Sequence, residues 1–509
     1  MSDRTSSLRI GKAAFILAFC ILIGLMVVSG ILTRTVPAGS FEREVVNGRE
    51  IVIPGSYQQT PQQQPPAIWR WFTAPVEVLF APGAIVAITI IVFLIFVGGS
   101  FTILEQAGIL KAVLDRLVAG FYERRYLLMA IIIFFFMAVA SVLGIYEAMV
   151  PLIVFIVPLS LKLGWDSLTG LGMSLLPLAF GFSAAISNPF TIGVAQRIAE
   201  LPLFSGAWLR IPFFVITYLV VVLFVTRYAR SIERNPERSP VHQLDDERRV
   251  LLSEEGAAAT RAAVPTATRP PSADTAAAPG PAAGTRMLPA LKRAALWFGA
   301  NIILAFIFIF VTARHPVLSD LAFPLMALLF FVGGLGAGRL AGQTWAQVWR
   351  SFGGGALGMA PAVLLILMSL SVRHIVEMGG ITDTILNSAA NLIAGSTTFM
   401  AAFFVYLVTL GMNIFIGSAS AKAFLMMPIL SPLADLVGIT RQTAVLAFGF
   451  GDGFSNMLFP SNALLLIGLG FTVVSYPRWF RWTIPLQIVM FAVSMLFLWI
   501  AVRVGYGPF

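Results

Sequence analysis

Polar side chains interrupt two long apolar stretches of the sequence, residues 181–196 and 451–470. The candidate substrate-binding residues at these interruptions are Ser187, Asn188, Thr191, Asn456, Ser461 and Asn462. An asparagine amide both donates and accepts hydrogen bonds, so it can hold a carboxylate or cap free backbone groups. A helix that restarts beside such an interruption favours negative charge at its N-terminus. These residue types therefore predict a site for a small carboxylate, although the asparagines could instead only satisfy the broken backbone.

Three ionisable residues lie within apolar sequence: Glu147, Lys422 and Asp452. An ionisable group at membrane depth is costly, and its presence there indicates a function. Lys422 is predicted to help bind the substrate, whereas Glu147 and Asp452 are predicted to be charge partners or coupling-ion sites. The alternative is a structural ion pair, or a glutamate at the membrane surface.

The stretch GSASAK offers further oxygen atoms as ligands. Ser418 and Ser420 are candidate substrate-binding residues. Sodium is the one metal that the sequence suggests, near Gly417, Ser418 and Asn462, because a hard cation takes oxygen ligands. Sodium, protons and substrate exchange all stay open as modes of coupling, and no other cofactor is predicted.

Each polar interruption also predicts a broken membrane helix. A break leaves backbone N–H and C=O groups without partners, which costs several kcal/mol per group unless they line a cavity or hold a ligand. The offset that relates Asn188 to Asn462 also relates four identical pairs: Pro158 and Pro432, Gly164 and Gly438, Phe180 and Phe454, Ser187 and Ser461. Corresponding breaks in two halves of a chain indicate an internal repeat and point to the binding site of a transporter.

Composition places these breaks in a polytopic membrane protein. Of the 509 residues, 58% are hydrophobic and 11% are charged, against about 25% charged residues in soluble chains. The net charge of +10 comes from Lys and Arg between apolar spans, so it follows membrane topology and predicts no nucleic-acid partner. Cys20 is the single cysteine, which excludes a disulfide within the chain and a cysteine-ligated zinc. The sequence contains no Walker A, HExxH or GxSxG motif, which removes the commonest ATP-driven and hydrolytic functions.

The apolar runs predict the order of the membrane elements. The simple spans are residues 13–33, 83–104, 207–227, 294–313, 321–338, 352–372 and 483–502. Two hairpins, residues 127–163 and 398–436, and two broken helices, residues 168–200 and 440–472, lie between them. Basic residues place the N-terminus and the 229–292 segment in the cytoplasm, so the two halves are inverted across the membrane. Whether residues 127–163 form a re-entrant hairpin or two full spans stays open.

The predicted fold is an all-α polytopic membrane protein, an inverted-repeat transporter with two re-entrant hairpins and two broken helices. Its predicted parts are a first transmembrane helix with an extracytoplasmic loop (1–82), a first inverted repeat (83–228), a disordered cytoplasmic linker (229–292), scaffold helices (293–351), and a second inverted repeat with a final helix (352–509). The linker is rich in Ala, Pro, Thr and Ser, a composition that cannot bury a core.

Three segments carry a family resemblance: SNPFTIGVAQRIAELPLFSG, GSASAKAFLMMPILSPLADLVGI and GFGDGFSNMLFPSNALLLIG. On these segments the sequence resembles the YfcC and DcuC group, the C4-dicarboxylate anaerobic carrier family of the ion-transporter superfamily. The resemblance covers nearly the whole chain except residues 229–291. It implies a scaffold domain and a transport domain that moves substrate by an elevator-like shift, often in a homodimer, in the bacterial cytoplasmic (inner) membrane.

The predicted function is secondary active transport of a small carboxylate-bearing metabolite, either a C4-dicarboxylate or an amino acid. Because some similar proteins are arginine/ornithine exchangers, a basic amino acid exchanger is the alternative. An ion channel fits less well, since broken helices and dead-end hairpins suit an occluded site. An intramembrane enzyme also fits less well, because no base, nucleophile and acid are gathered in one stretch.

Overall fold

The computed structural model describes residues 12–46, 49–60, 64–82, 84–144, 146, 149–246, 288–312 and 322–507. These residues are almost entirely helical, and eight helical segments among them are long and apolar enough to cross a membrane. The predicted all-α polytopic membrane fold is therefore confirmed. Glu147 and most of the predicted linker lie outside the described residues.

The elements divide into those before the linker and those after it. Before it lie α1 (Lys12–Thr35), β1 (Gly39–Ser40), β2 (Arg43–Val46), β3 (Arg49–Val52), β4 (Gln58–Gln59), α2 (Ile68–Glu77), α3 (Ala84–Gln106), α4 (Ile109–Phe121), α5 (Arg125–Leu143), α6 (Val150–Lys162), α7 (Ser167–Ala184), α8 (Val194–Ile198) and α9 (Ala207–Arg234). After it lie α10 (Pro289–Thr312), α11 (Ala322–Leu340), α12 (Trp345–Gly358), α13 (Ala360–Met378), α14 (Thr382–Ala394), α15 (Thr398–Met412), α16 (Ala419–Val437), α17 (Arg441–Ser455), α18 (Ala463–Gly470) and α19 (Tyr476–Val504).

Helices α3–α9 and α13–α19 follow the same order, so the predicted internal repeat is visible in the structure. Both long broken helices begin in the same way. Gly164 and Gly438 take positive φ values of 90° and 74°, a conformation that costs glycine little. Two residues later, Asp166 and Thr440 each cap a helix N-terminus by accepting a backbone N–H bond, at 2.8 Å for Asp166 and 3.1 Å for Thr440.

The two repeats meet where α7 and α17 cross. The rings of Phe180 and Phe454, which are equivalent in the repeats, contact each other edge to face with centroids 5.4 Å apart. A Cβ atom at Gly453 would overlap Ser183, so the two helices approach closely at this point. Every residue of both helices except Arg441 is buried. Equivalent residues of the two repeats therefore meet in the core, on the two helices that lead into the breaks.

Each predicted hairpin segment contains two helices of unequal length, and the hairpin path itself stays a prediction. Helices α5 and α16 have 19 residues each, whereas α6 has 13 and α15 has 15. At 1.5 Å per residue, 19 residues span about 28 Å, close to the thickness of a bilayer core, and 13 residues span about 20 Å. The long arms match the thickness of a bilayer core, and the short arms are shorter than it.

The described parts of the polar loop, residues 34–46, 49–60 and 64–80, are folded. Strands β1 and β4 pair antiparallel, as do β2 and β3, and α2 follows them. The carboxylate of Asp383 in α14 accepts hydrogen bonds from the backbone N–H of Phe41 at 3.0 Å and from Arg43 at 2.7 Å. These bonds join the first loop of the chain to α14, in the second repeat.

The predicted start of the linker at residue 229 is wrong. Helix α9 continues to Arg234, and the chain then packs back on the base of α7. Ser239 donates to the carboxylate of Asp166 at 2.7 Å, and Asp245 accepts from the backbone N–H of Ser167 at 2.7 Å. Composition could not predict this contact. In the sequence, the polar residues Ser239 and Asp245, which anchor the segment to α7, do not differ from polar residues that face solvent.

The predicted span of residues 352–372 lies inside a longer apolar helical segment, Trp345–Met378, which is divided into two helices. Helix α12 begins earlier, at a capping box formed by Thr344 and Gln347, and a separate helix, α13, follows after Met359. Pro361 lies in the first turn of α13, where its missing N–H is not needed, and it cannot continue the preceding helix.

Candidate functional site

The first break is organised by Asn188. Helix α7 ends at Ala184, and Pro189–Gly193 form a π-helical turn before α8. Asn188 caps this turn, since its Oδ1 accepts from the N–H groups of Phe190 at 2.8 Å and Thr191 at 3.1 Å. Asn188 is fully buried, and its Nδ2 finds no hydrogen-bond partner among the described residues. The amide therefore satisfies the break and still has donors available.

The residues just before Asn188 are held by the end of α5. Ala185 has a positive φ of 38°, which is uncommon for a residue with a Cβ atom. The N–H of Ile186 donates to Ser141 Oγ at 3.0 Å, and the N–H of Ser187 donates to the Ser141 carbonyl at 3.2 Å. The Ser187 hydroxyl donates to the carbonyl of Val142 at 3.2 Å. Ser187 is thus used in bracing the break.

Gly144, at the end of the same helix, touches the capping atom. Its φ is 69°, and a Cβ atom there would overlap Asn188 Oδ1. A side chain at position 144 would therefore displace the asparagine that caps the break. This close approach is the reason that glycine ends the first hairpin arm.

The second break repeats the capping arrangement with one difference. Asn462 Oδ1 accepts from the N–H of Leu464 at 2.9 Å, which caps α18. Its Nδ2 donates to Asn456 Oδ1 at 3.0 Å. The amide donors of Asn462 are therefore engaged with Asn456, while those of Asn188 are not engaged within the described structure. The carbonyl of Ser461 accepts a hydrogen bond from Ser369 in α13.

Lys422 and Asp452 form an ion pair between α16 and α17. Their side chains are 0% and 1% exposed, so water does not screen the pair. Asn413, at the end of α15, donates to the backbone carbonyl of Asp452 at 2.7 Å. The π-helical turn of the first break packs against both α16 and α17, which places the first break beside the helices that carry this pair.

The hairpin turn before α16 is arranged differently from the breaks. Ser418 is exposed and caps α16, with its Oγ 3.4 Å from the N–H of Ala421 and 3.4 Å from Ser420 Oγ. Gly417 is exposed as well, whereas Asn462 is buried. A sodium site that joins these residues stays a prediction. Glu147 lies outside the described residues, so its role also stays a prediction.

Several buried polar atoms around the breaks have no hydrogen-bond partner in the part of the chain that the structure describes. They are Ser183 Oγ, Asn188 Nδ2, Thr191 Oγ1, Asn413 Oδ1 and Ser461 Oγ. Buried polar groups are usually paired, and an unpaired one calls for a ligand, an ion or a water molecule. At membrane depth such atoms line a cavity or hold a ligand. These unpaired donors and acceptors are the groups that would bind a small polar solute, and such binding stays a prediction.

The sequence analysis missed four residues that position the site. They are Ser141, Arg210, Ser369 and Asn413. Arg210 is an ionisable residue in an apolar span, which is by itself a sign of function. Asn413 is a polar residue at the end of a hairpin arm. Ser141 and Ser369 have no comparable signal, because a hydroxyl in a membrane helix often bonds its own backbone.

Comparison with known proteins gives a consistent set of similarities. The model of a family described as "C4-dicarboxylate anaerobic carrier" matches residues 15–268 and 292–503. The chain is 31% identical, over 425 residues, to YfcC of Escherichia coli (strain K12), a protein whose name proposes a basic amino acid antiporter; the match covers 82% of this chain and 78% of YfcC. It is 24% identical, over 462 residues, to an uncharacterized protein of Haemophilus influenzae, covering 87% and 80%.

Two solved transporter structures are similar over nearly their whole length. They are the Alcanivorax borkumensis YdaH transporter and Neisseria gonorrhoeae MtrF, each with 18% identity and a TM-score of 0.40. The match covers 97% of this chain in both cases, and 99% and 97% of the respective solved chains.

Proposed function

The chain belongs to the C4-dicarboxylate anaerobic carrier family, and from this premise we propose that it is a secondary active transporter of a small carboxylate-bearing metabolite. A membrane transporter of this family acts on a small-molecule substrate within a lipid bilayer. The observation that carries the proposal is the buried amide of Asn188, which caps the first break and whose Nδ2 has no hydrogen-bond partner among the described residues. A substrate carboxylate would accept from this amide and from Thr191.

The Lys422–Asp452 pair favours an amino acid over a dicarboxylate as the substrate. A zwitterionic substrate can replace each partner of the pair: the carboxylate that accepts from Asn188 would also face Lys422, because the first break packs on α16, and the amine would face Asp452. A dicarboxylate can replace only the acid and would leave Asp452 without a cation, which is costly in a buried site. The name of the similar YfcC protein supports the same choice, with exchange of basic amino acids as a specific form of it.

The proposal is tested by flux into liposomes that contain the purified protein. The panel comprises C4-dicarboxylates, basic amino acids and neutral amino acids, each with and without a sodium gradient, a proton gradient or internal counter-substrate. We expect saturable uptake of an amino acid, and stimulation by internal amino acid would identify exchange. Non-saturating ohmic current would instead indicate a channel, and turnover without vectorial flux would indicate an enzyme. Saturable uptake of dicarboxylates alone would contradict the amino acid assignment.

We also propose that the breaks move relative to a scaffold in an elevator-like step. Helices α3, α10, α11 and α12 pack on one another, while α5, α7 and α9 pack with α15, α17 and α19. Helix α13 corresponds to α3 in the repeat, and its Ser369 contacts the carbonyl of Ser461 at the second break. This contact must open if the second break moves away from α13.

A cross-link between positions 369 and 461 tests this motion. With Cys20→Ser, Ser369→Cys and Ser461→Cys, a short cleavable cross-link is expected to stop transport until it is cleaved. The matched control joins Gln106→Cys and Ser351→Cys, whose native side chains bond at 2.5 Å between α3 and α12. That cross-link lies within the scaffold and is expected to leave transport unchanged. Full transport by the 369–461 cross-linked protein would rule out an elevator step that separates these residues.

A further inference from the structure

Arg210 is a buried cation near the start of α9. Its side chain is 0% exposed, and it forms no ion pair with an acid in the described ranges. A buried charge without a counter-charge is expensive unless hydrogen bonds satisfy it. The acceptors that Arg210 uses are therefore informative, because they must offset the cost of its burial.

Three acceptors from separate parts of the chain surround the guanidinium group. Nη2 donates to the carbonyl of Ile186 at 3.1 Å and to the carbonyl of Phe204 at 3.2 Å. Nη1 donates to the hydroxyl of Tyr506 at 3.2 Å. Tyr506 is itself fully buried, and its hydroxyl donates to the carbonyl of Gly206. Arg210 thus joins the first break, the loop before α9 and the turn that follows the last helix.

The Ile186 carbonyl is the contact that matters for the site. It lies two residues before Asn188, in the turn where Ala185 has its positive φ. Ser141 holds the N–H side of this turn, and Arg210 holds the carbonyl side. The turn also follows the C-terminus of α7, where the helix dipole favours a cation.

We propose that Arg210 is a positioning residue of the substrate site, which acts through the Ile186 carbonyl to aim the amide of Asn188. The planar guanidinium group reaches several acceptors at fixed angles, whereas a lysine ammonium on a flexible stem is a single point charge. Arg210→Lys therefore keeps the charge and loses the geometry. The transport part of this inference rests on the proposed function, but the position of the turn does not.

The first experiment needs no substrate. In a Cys20→Ser background, the rate at which a membrane-impermeant maleimide modifies Ser187→Cys is compared with and without Arg210→Lys. Ser461→Cys is the matched control, since Ser461 is equivalent to Ser187, is also half-buried and lies in the break that Arg210 does not contact. We expect Arg210→Lys to raise the modification rate at position 187 about tenfold, because an unsatisfied carbonyl weakens the closed turn, and to leave position 461 unchanged. Equal rises at both positions, or no change at position 187, would overturn the proposal.

The second experiment measures transport once a substrate is known. Arg210→Lys is expected to raise the KM for uptake about tenfold while the maximal rate and the yield of folded protein stay close to those of the native protein. The surface substitution Arg503→Lys, which removes only an exposed guanidinium group over Trp499, is the control. An unchanged KM for Arg210→Lys, with transport still lost in Asn188→Ala, would reject the role of Arg210 and retain the proposed function. Absence of any transported substrate would reject the proposed function and leave the labelling result to decide the role of Arg210.

Discussion

Asn188→Ala is expected to abolish substrate uptake while the protein still folds and inserts into the membrane. The substitution removes a helix cap, which costs about 1 kcal/mol of stability, and also removes the free donors from the first break. A hydrogen bond to a charged group contributes about 1.5–3 kcal/mol, so affinity for a carboxylate should fall roughly 10- to 150-fold. Asn462→Ala is also expected to abolish uptake, because it removes the cap of α18 and the hydrogen bond to Asn456. Uptake in liposomes and melting in detergent measure the two effects.

A matched variant separates capping from binding at the first break. Asn188→Asp keeps the oxygen that caps the turn, since aspartate is as good a cap as asparagine. It replaces the free amide donors with an acceptor and a negative charge, so we expect normal folding with loss of carboxylate binding. Asn301→Ala is the control for a buried asparagine elsewhere, because among the described residues Asn301 bonds the carbonyl of Trp297 in its own helix α10. Normal uptake by Asn188→Asp would show that Asn188 caps the helix and does not bind the substrate.

Removing one charge of the Lys422–Asp452 pair is expected to lower the unfolding free energy more than any other substitution discussed. Removing one partner of a buried ion pair leaves an uncompensated charge and costs about 3–5 kcal/mol. Lys422→Met and Asp452→Asn should each lower the unfolding free energy by about this amount. Lys162→Met, which breaks the partly exposed pair with Asp115, is the matched control and should cost no more than about 1 kcal/mol. Unfolding in detergent mixtures, followed by helical signal, measures these differences.

The double variant Lys422→Met with Asp452→Asn distinguishes a structural role of the ion pair from a role in transport. Because no charge is left unpaired, most of the lost stability should return. Transport should stay lost, since neither the substrate carboxylate nor its amine would find a charged partner. A double variant that recovers both stability and uptake would show that the pair is only architectural.

The helix breaks could be predicted from the sequence because their signal is local. Asn188 and Asn462 each stand beside a proline or serine within an apolar run, and they recur at the same place in two halves. Both prove to be caps of the helix that restarts. Their further role in binding stays a prediction, because capping and binding require the same residue type.

The partners of the site residues could not be predicted, because they depend on which helices touch. The offset that relates Asn188 to Asn462 places Glu147 opposite Ala421, next to Lys422, but equivalence in a repeat is a relation of symmetry and does not imply contact. Lys422 instead contacts Asp452, on the adjacent helix. Arg210 reaches the first break from another helix and is held by Tyr506, nearly 300 positions along the chain. Such contacts between distant segments depend on how the helices pack, and no spacing of residues in the sequence indicates them.

The contact between Phe180 and Phe454 has a consequence for the ancestry of the chain. A residue that touches its own symmetry equivalent is the mark of an isologous interface, in which two copies present the same surface to each other. Two separate copies of a half-length ancestor, inserted in opposite orientations, could therefore have packed through this ring pair before any linker joined them. After gene fusion, each copy could diverge in sequence. Such divergence would explain why the amide of Asn462 bonds Asn456, whereas the amide Nδ2 of Asn188 has no partner in the described structure.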